Sequence, residues 1–185
     1  MASQQLKPMT IEEFLRWAER QPRGRFELVH GQPVEMAAER VRHGRVKFQV
    51  VNALKAAITT AGLPCEAFPD GMAVPILGRA TREPDALVTC GPRLDDDAVL
   101  VPDPVVVVEV LSPSTAGTDA WDKVDDYLAV PSIQHYLIVD PVACKVVHHL
   151  RSGTVWQVRD VAADATLVLA PPGLSIRVAD LLPEK

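Results

Sequence analysis

The sequence is poor in aromatic residues and has no apolar run long enough to cross a membrane. Aromatic residues make up 5% of the 185 residues, so the core is predicted to consist mainly of Val, Leu, Ala and Ile. No apolar stretch approaches the ~18 residues of a membrane span, and the first ten residues lack the apolar segment of a secretory signal. We therefore expect a cytoplasmic protein without a membrane span. Its length predicts a single domain over residues 1–185, with a core at about 10–160.

Cysteine is also scarce. The three cysteines are Cys65, Cys90 and Cys144, and no pair of them has the C-x-x-C spacing of a metal or redox site. An odd number without such spacing is typical of reduced thiols in a cytosolic protein. The sequence therefore predicts three free thiols rather than a disulfide framework.

There is no excess of positive charge. The formal net charge is -5 and the sequence pI is about 5.5, whereas a dedicated nucleic-acid-binding module is usually basic. Carboxylates that hold a metal ion would also lower the net charge, so an acidic chain remains compatible with a metal-dependent enzyme. The sequence motifs of P-loop proteins, dinucleotide-binding proteins, α/β-hydrolases and zincins are absent, which argues against those classes.

The hydrophobic periodicity predicts a mixed α/β fold. A valine run at 104–111 indicates a central strand that is buried on both faces. The predicted elements begin with a helix capped by Thr10 with Glu13, two strands over 25–36 that turn at His30-Gly31, and a helix over 42–61 capped by Gly62. Strands follow over 64–77 (broken near Asp70-Gly71), 84–89 and 104–111. The chain then forms a helix over 119–130, a strand over 135–140, a hairpin around Ser152-Gly153, and a tail with one more strand and a short turn.

One carboxylate interrupts the valine run. Glu109 follows Val105–Val108, and burying an unpaired carboxylate costs roughly several kcal/mol. If strands 84–89 and 105–110 pair so that residue 89 faces 105, then Asp85 faces Glu109 on the same side of the sheet. A divalent cation between the two would remove their repulsion, and Mg²⁺ is usually held by one or two carboxylates. The alternative is an ion-paired or edge-exposed Glu109.

Other polar residues have both a functional and a plain structural interpretation. Lys123 lies on the helix after the Glu109 strand, where it either reaches back over the sheet or forms a solvated pair with Asp119. Glu27 is a candidate acid or an exposed strand residue, and His43 is a catalytic candidate or a helix cap. His148-His149 is not predicted to bind a metal, because adjacent residues of a strand point to opposite faces.

Several short segments between residues 10 and 150 together form a specific pattern. They are FELVHGQPVEM (26–36), His43, EPDALV (83–88), VVVVEVLSPST (105–115), Asp119, Lys123, Tyr127 and IQHYLIVDP (133–141). In these segments the chain resembles the Uma2 family of restriction-endonuclease-like proteins, within the PD-(D/E)XK nuclease superfamily. The resemblance implies a restriction-endonuclease-like mixed β-sheet core flanked by helices, with an extra N-terminal helix and hairpin and a C-terminal hairpin.

The resemblance also implies an activity. It points to a metal-dependent endonuclease that hydrolyses phosphodiester bonds in DNA, with Mg²⁺ or Mn²⁺ as cofactor. Asp85 and Glu109 are the implied metal ligands, Glu27 is an accessory acid and third ligand, and Lys123 and His43 complete the catalytic set. The superfamily pattern has a lysine two residues after the acid, but this chain has Leu111 there, and Lys123 fits a known relocation of that lysine to the next helix.

Two other functions fit the same residues. The acidic net charge and Leu111 favour a non-catalytic binding or regulatory homologue, and a hydrolase of a small phosphorylated molecule is a third interpretation. A nuclease should have a basic rim around the acidic centre, for which the sequence offers Arg40, Arg42, Arg45 and Lys47. A homodimer is a further expectation for an enzyme that cuts both strands.

Overall fold

A computed structural model describes residues 7–78, 80–112 and 119–183, without the side chains of 119–122. The elements in chain order are α1 (Ile11–Ala18), β1 (Phe26–Val29), β2 (Gln32–Glu35), α2 (Val41–Ala61), β3 (Cys65–Pro69), β4 (Val74–Ile76), β5 (Ala80–Arg82), β6 (Ala86–Cys90), β7 (Pro104–Val110), α3 (Asp119–Leu128), β8 (His135–Asp140), β9 (Lys145–Ser152), β10 (Val155–Ala162), β11 (Thr166–Leu169), β12 (Leu174–Arg177) and a final 3-10 turn (Val178–Leu181).

The main sheet has six strands in the order β10-β9-β8-β7-β6-β3. β7 and β8 are parallel, and the other neighbouring pairs are antiparallel, so the sheet is mixed as predicted. The valine run forms β7 near its centre. Val106 and Val108 face one apolar cluster and Val107 faces the other, so this strand is buried on both faces.

Helices cover both faces of this sheet. On one face, Val46, Val50 and Leu54 of α2 pack against the sheet together with the β11–β12 hairpin. On the other face lie Tyr127 of α3 and the second sheet, which has the order β2-β1-β5-β4. No helix within the described residues is both long and apolar enough to cross a membrane.

The local signals at the N-terminal half are confirmed. Thr10 and Glu13 form the predicted capping box at the start of α1. His30 and Gly31 both have positive φ (49° and 77°), which is the geometry of a tight two-residue hairpin turn. Gly62 closes α2 in the left-handed conformation (φ 62°) that glycine adopts without steric cost.

Three short elements differ from the prediction. The segment 64–77 does break, but β3 joins the main sheet and β4 joins the second sheet. The three-residue strand β5 was not predicted, because its sequence Ala80–Arg82 has no apolar alternation to reveal it. The tail beyond residue 161 forms two strands, β11 and β12, rather than one.

The register between β6 and β7 agrees with the prediction where it matters for the site. Ala86 faces Val108, and Asp85, directly before this pair, accepts a hydrogen bond from the amide of Val110. At the far end a register shift after Val88 places Thr89 opposite Pro104 instead of residue 105. β6 begins at Ala86 rather than 84, because Pro84 has no amide hydrogen to contribute to the ladder.

The prediction of three free thiols is wrong for Cys65 and Cys90. Cys65 of β3 lies directly opposite Cys90 of β6, and the two form a disulfide across the edge of the main sheet. Residues opposite each other on antiparallel strands have neighbouring Cβ atoms, which a sequence separation of 25 does not reveal. Cys144 is free and exposed.

Candidate active site

Buried charged side chains gather where β6 begins and β7 ends. The charged residues of this set are Glu27, Lys47, Arg82, Asp85, Glu109 and Lys123. They come from both sheets and both long helices, and several of them line a cavity of about 250 Å³. Since buried charges are costly unless they are paired, the fold must position each of them against a partner.

Asp85 is fixed by the backbone of the neighbouring strand. Its Oδ2 accepts a hydrogen bond from the amide of Val110 at 2.6 Å. Its Oδ1 lies 3.0 Å from Lys47 Nζ. Asp85 directly precedes β6 and Glu109 lies near the end of β7, so the two carboxylates are close enough to interact electrostatically, as predicted.

Glu109 is held by two donors from α3. Lys123 Nζ lies 3.1 Å from Glu109 Oε1, and Tyr127 Oη donates to the same oxygen at 2.8 Å. The pKa of Glu109 is raised to about 8, mainly by burial; the Lys123 ammonium lowers this pKa, and the negative charge of Asp85 raises it. Glu109 therefore loses its proton less readily than an exposed glutamate does.

Lys123 lies between two carboxylates. Its Nζ is 3.1 Å from Glu109 Oε1 and 3.4 Å from Glu27 Oε1. The side chain is buried, so the alternative of a solvated lysine does not hold. The Asp119 side chain, its expected partner in that alternative, lies outside the described residues.

Glu27 is buried rather than exposed on its strand. Its Oε1 accepts from the amide of Glu83 at 2.9 Å, and its Oε2 lies 3.3 Å from Arg82 Nη1. Arg82 in turn donates from Nε to Asp126 Oδ2 at 2.7 Å. Glu27 thus links the second sheet to α3 and helps to fix Lys123.

His43 comes to the same place from the first turn of α2. Its Nε2 is 2.8 Å from the carbonyl oxygen of Val110 and 3.6 Å from Asp85 Oδ2. Its Nδ1 is 3.3 Å from Glu39 Oε2. The structure therefore brings together all five residues that the sequence singled out: Glu27, His43, Asp85, Glu109 and Lys123.

Lys47 does not lie on the basic rim as predicted. It is buried, and its ammonium contacts Glu39 Oε1 at 2.6 Å, Asp70 Oδ2 at 2.8 Å and Asp85 Oδ1 at 3.0 Å. The α2 face that carries His43 also carries Lys47 one turn later, and this face turns inward. The other three predicted rim residues, Arg40, Arg42 and Arg45, are exposed.

Sequence reasoning missed Glu39 and Asp70 in this centre. Glu39, His43 and Lys47 follow one another at a spacing of four residues, which is the signal that could have identified Glu39. Asp70 is placed by the turn after β3, where Arg25 also contacts it at 2.7 Å. No periodic pattern in the sequence indicates this long-range contact.

One group of donors has the spacing of a metal site. Each of Glu39, His43 and Asp85 offers one ligand atom, and these atoms lie within 4.8 Å of one another. Carboxylate oxygen and imidazole nitrogen are ligands for divalent first-row metals. The same carboxylates already hold the Lys47 ammonium, so the donor set fits a cation. It overlaps the predicted ligand set of Asp85, Glu109 and Glu27 only at Asp85.

The family of the chain follows from comparison with known proteins. The family model described as "Uma2: Putative restriction endonuclease" matches residues 11–179. The chain belongs to the Uma2 family. An uncharacterized protein of Synechocystis sp., slr1290, is 30% identical over 92% of this Uma2 chain and 89% of its own length. A second, sll1609, is 29% identical over 80% of this chain and 83% of its own.

A solved structure shows the same fold. It is described as a putative nuclease belonging to DUF820 from Anabaena variabilis, and it matches with a TM-score of 0.73 at 18% sequence identity. The match covers 94% of the Uma2 chain and 97% of the other chain. The mixed sheet with flanking helices is therefore shared with a protein described as a nuclease.

The Uma2 chain differs from the general superfamily pattern at one position beside the site. Leu111, which stands where that pattern has lysine, packs against the apolar cluster that contains Tyr127. Two other lysines bring ammonium groups to the carboxylates, Lys123 at Glu109 and Lys47 at Asp85. A cationic group is thus present on each side of the acidic pair.

Proposed function

We propose that this Uma2 protein is a metal-dependent endonuclease that hydrolyses phosphodiester bonds in DNA. The observation that carries the proposal is the approach of Asp85, directly before β6, to Glu109, near the end of β7, with Lys123 3.1 Å from Glu109 and His43 3.6 Å from Asp85. Paired carboxylates with a nearby lysine suit a reaction in which a phosphate must be bound and its negative charge stabilised.

The metal would be held by Asp85 and Glu109, and His43 and Glu39 would offer further donors because their ligand atoms lie within 4.8 Å of Asp85. A bound Mg²⁺ or Mn²⁺ supplies Lewis-acid polarisation of the phosphoryl group and lowers the pKa of a bound water. Both oxygens of Glu27 are engaged by Arg82, Lys123 and the Glu83 amide, which supports a role in positioning Lys123 over a role as a third ligand.

The protein's own side chains would orient the reactants. Lys123 is held by Glu27 and Glu109, and its ammonium would stabilise negative charge on a phosphoryl oxygen bound beside Glu109. Tyr127 holds the Glu109 carboxyl in one orientation. His43 donates to the Val110 carbonyl when Nε2 carries a proton, which fixes the imidazole beside Asp85.

A non-catalytic binding or regulatory role is the second candidate. The observation in its favour is that the carboxylates of the site are already paired with Lys47, Lys123 and Arg82 of the same chain. A centre neutralised in this way keeps its structure without a metal ion. In that case the fold and the partner surface would persist while hydrolysis would not occur.

Metal-dependent plasmid nicking distinguishes the two candidates. Wild type, Glu109→Gln and Lys123→Met are each incubated with supercoiled plasmid and Mg²⁺ or Mn²⁺, and parallel samples contain EDTA. We expect nicking by wild type only, and only with metal, because the two variants remove a ligand and the phosphate-orienting ammonium. Glu35→Gln is the matched control, since Glu35 lines the cavity but is absent from the Glu39–His43–Asp85 donor group. Equal nicking by Glu109→Gln and wild type would refute the assigned site.

A further inference from the structure

Three arginines at the start of α2 have no side-chain partner among the residues that the structure describes. Within the described residues, the side chains of Arg40, Arg42 and Arg45 form no ion pair or side-chain hydrogen bond, although all three are exposed. Arg25 and Arg82, in contrast, are paired with Asp70 and Asp126. The chain therefore leaves a group of free guanidinium groups on one surface despite its net charge of -5.

Helix stability does not explain this placement. The first turn of α2 has no acidic residue, and Arg40 at the N-cap makes no capping hydrogen bond with its side chain. The N-terminal end of a helix carries partial positive charge, so cations there are unfavourable and anions are favourable. Residues 40–62 contain no Asp or Glu at all, so an anion that balances these arginines must come from outside this segment.

The arginines extend outward from the catalytic cavity. Arg40 and His43 line both the cavity and an adjoining depression. Arg42 lines that depression and a further one, which also contains Arg45 and Phe48. From residue 40 to 48 the helix rises by about 12 Å, at ~1.5 Å per residue. A continuous path thus leads from the acidic centre along the exposed side of α2.

An aromatic ring lies at the outer end of this path. Phe48 is 69% exposed and follows Arg45 by one helical turn, on the same face as Val41. A large apolar ring in solvent beside guanidinium groups is the combination that binds single-stranded nucleic acid, in which bases stack on aromatic rings and phosphates contact cations. In a duplex the bases are already stacked on one another, so contact with the Phe48 ring would add less to the binding free energy.

We propose that Arg40, Arg42, Arg45 and Phe48, here named the α2 track, bind a single-stranded segment of nucleic acid that leaves the active site. The occupant is argued from charge complementarity, since the track carries only positive charge and the phosphates only negative charge. The proposal rests on the proposed function, because it takes the scissile phosphodiester to lie at Asp85 and Glu109. It extends that function by assigning a strand-binding surface and a preference for unpaired nucleotides.

Binding of a labelled oligonucleotide tests the track without any cleavage. Fluorescence anisotropy of a fluorescein-labelled single-stranded 20-mer of dT is measured in EDTA over a series of salt concentrations. We expect Arg42→Gln/Arg45→Gln to reduce the slope of log K against log salt by about 1.4, since each phosphate contact on a single strand contributes about 0.7. Phe48→Ala should lower affinity by about fivefold or more and leave the slope unchanged.

The matched control is Arg20→Gln/Arg23→Gln. It removes the same charge from exposed arginines that do not line the track, and it should leave affinity and slope close to wild type. A tighter complex with the single strand than with a 20-base-pair duplex is also expected. Similar slopes for the two double variants would overturn the proposal. Light scattering provides a second test. If wild type is a dimer, and Phe48→Ala makes it a monomer without changing oligonucleotide affinity, the proposal is also overturned.

The outcomes separate this proposal from the proposed function. Track-dependent binding in EDTA together with no metal-dependent nicking would leave the α2 track standing and refute the nuclease. Metal-dependent nicking with unchanged binding by Arg42→Gln/Arg45→Gln and Phe48→Ala would refute the track alone. Because all four side chains are on the surface, circular dichroism melts should show wild-type stability in each variant.

Discussion

Lys47 Nζ lies 3.0 Å from Oδ1 of Asp85, so the ammonium occupies one side of a proposed metal ligand. The same nitrogen contacts Glu39 and Asp70 at 2.6 and 2.8 Å. Burial lowers the pKa of Lys47, but the charge of Asp85 and the hydrogen bonds of the three carboxylates raise it more, so the net shift is upward. Lys47 therefore stays charged and neutralises the site when no metal ion is bound.

Substitution of Lys47 by methionine should strengthen metal binding. A metal ion on Asp85 must compete with the nearby ammonium, and removal of that positive charge should raise the affinity for Mn²⁺ by about tenfold or more. Isothermal titration of Mn²⁺ into wild type and Lys47→Met measures the difference. Lys55→Met, an exposed lysine on the same helix, is the control and should bind as wild type does. Weaker binding by Lys47→Met would show that Lys47 supports the site instead of competing for it.

Glu109 should make the metal-free protein less stable as pH rises. Its pKa is raised to about 8 in the folded state, mainly by burial, against 4.5 for an unperturbed glutamate. Folding thus favours the protonated form, and the contribution to stability is present below about pH 4.5 and is lost as pH approaches 8. Urea unfolding in EDTA between pH 5 and pH 8 should show a steeper decline for wild type than for Glu109→Gln. Parallel curves would contradict the raised pKa.

The His135–His148 pair should make the protein less stable as pH falls. His135 Nδ1 is 2.9 Å from His148 Nε2, and His135 Nε2 is 2.9 Å from the carbonyl of Pro171, between β11 and β12. Burial lowers the pKa of His148 to about 3, helped by the charge of Arg159 and by His135. This contribution to stability is present above about pH 6.5 and is lost as pH falls toward 3.

Replacement of both histidines by leucine tests that interaction. The double variant His135→Leu/His148→Leu lacks the two imidazoles of this pair, so its stability should decline less than that of wild type between pH 6.5 and pH 4. The unfolding free energy from guanidinium titrations at several pH values gives the comparison. An equally steep decline in both proteins would assign the acid sensitivity to carboxylates elsewhere.

Thiol counting tests the Cys65–Cys90 disulfide. The oxidised protein, denatured without reductant, should react with one equivalent of a thiol reagent, at Cys144. After reduction it should react with three. Three reactive thiols before reduction would mean that the two strand-edge cysteines remain free in the isolated protein.

Much of the fold is readable from local sequence signals. The Thr10–Glu13 capping box, the positive-φ turn at His30-Gly31 and the buried valine strand each depend on neighbouring residues, and each is confirmed. Short elements such as β5 depend on pairing with distant strands, so three residues without alternation give no signal. The cross-strand disulfide was missed for the same reason.

The candidate site was also predictable to the extent that register could be inferred. A period of two along β6 and β7 was enough to place Asp85 beside Glu109. The prediction that Lys47 lies on the basic rim is wrong because a lysine is rarely buried unless it is paired, and its charge alone favours an exposed position. Asp70 provides one of those carboxylates from a turn, where no periodicity applies, and Glu39 is indicated only by its four-residue spacing to His43.

The most direct measurement is a paired titration and cleavage assay on Asp85→Asn. Asparagine can keep the hydrogen bond from the Val110 amide, so the fold should survive while the charged ligand is lost. Mn²⁺ is titrated calorimetrically into wild type and the variant, and both are assayed for nicking of supercoiled plasmid. The account predicts metal binding and metal-dependent nicking by wild type, and neither by Asp85→Asn. Nicking that persists in a folded Asp85→Asn would contradict it.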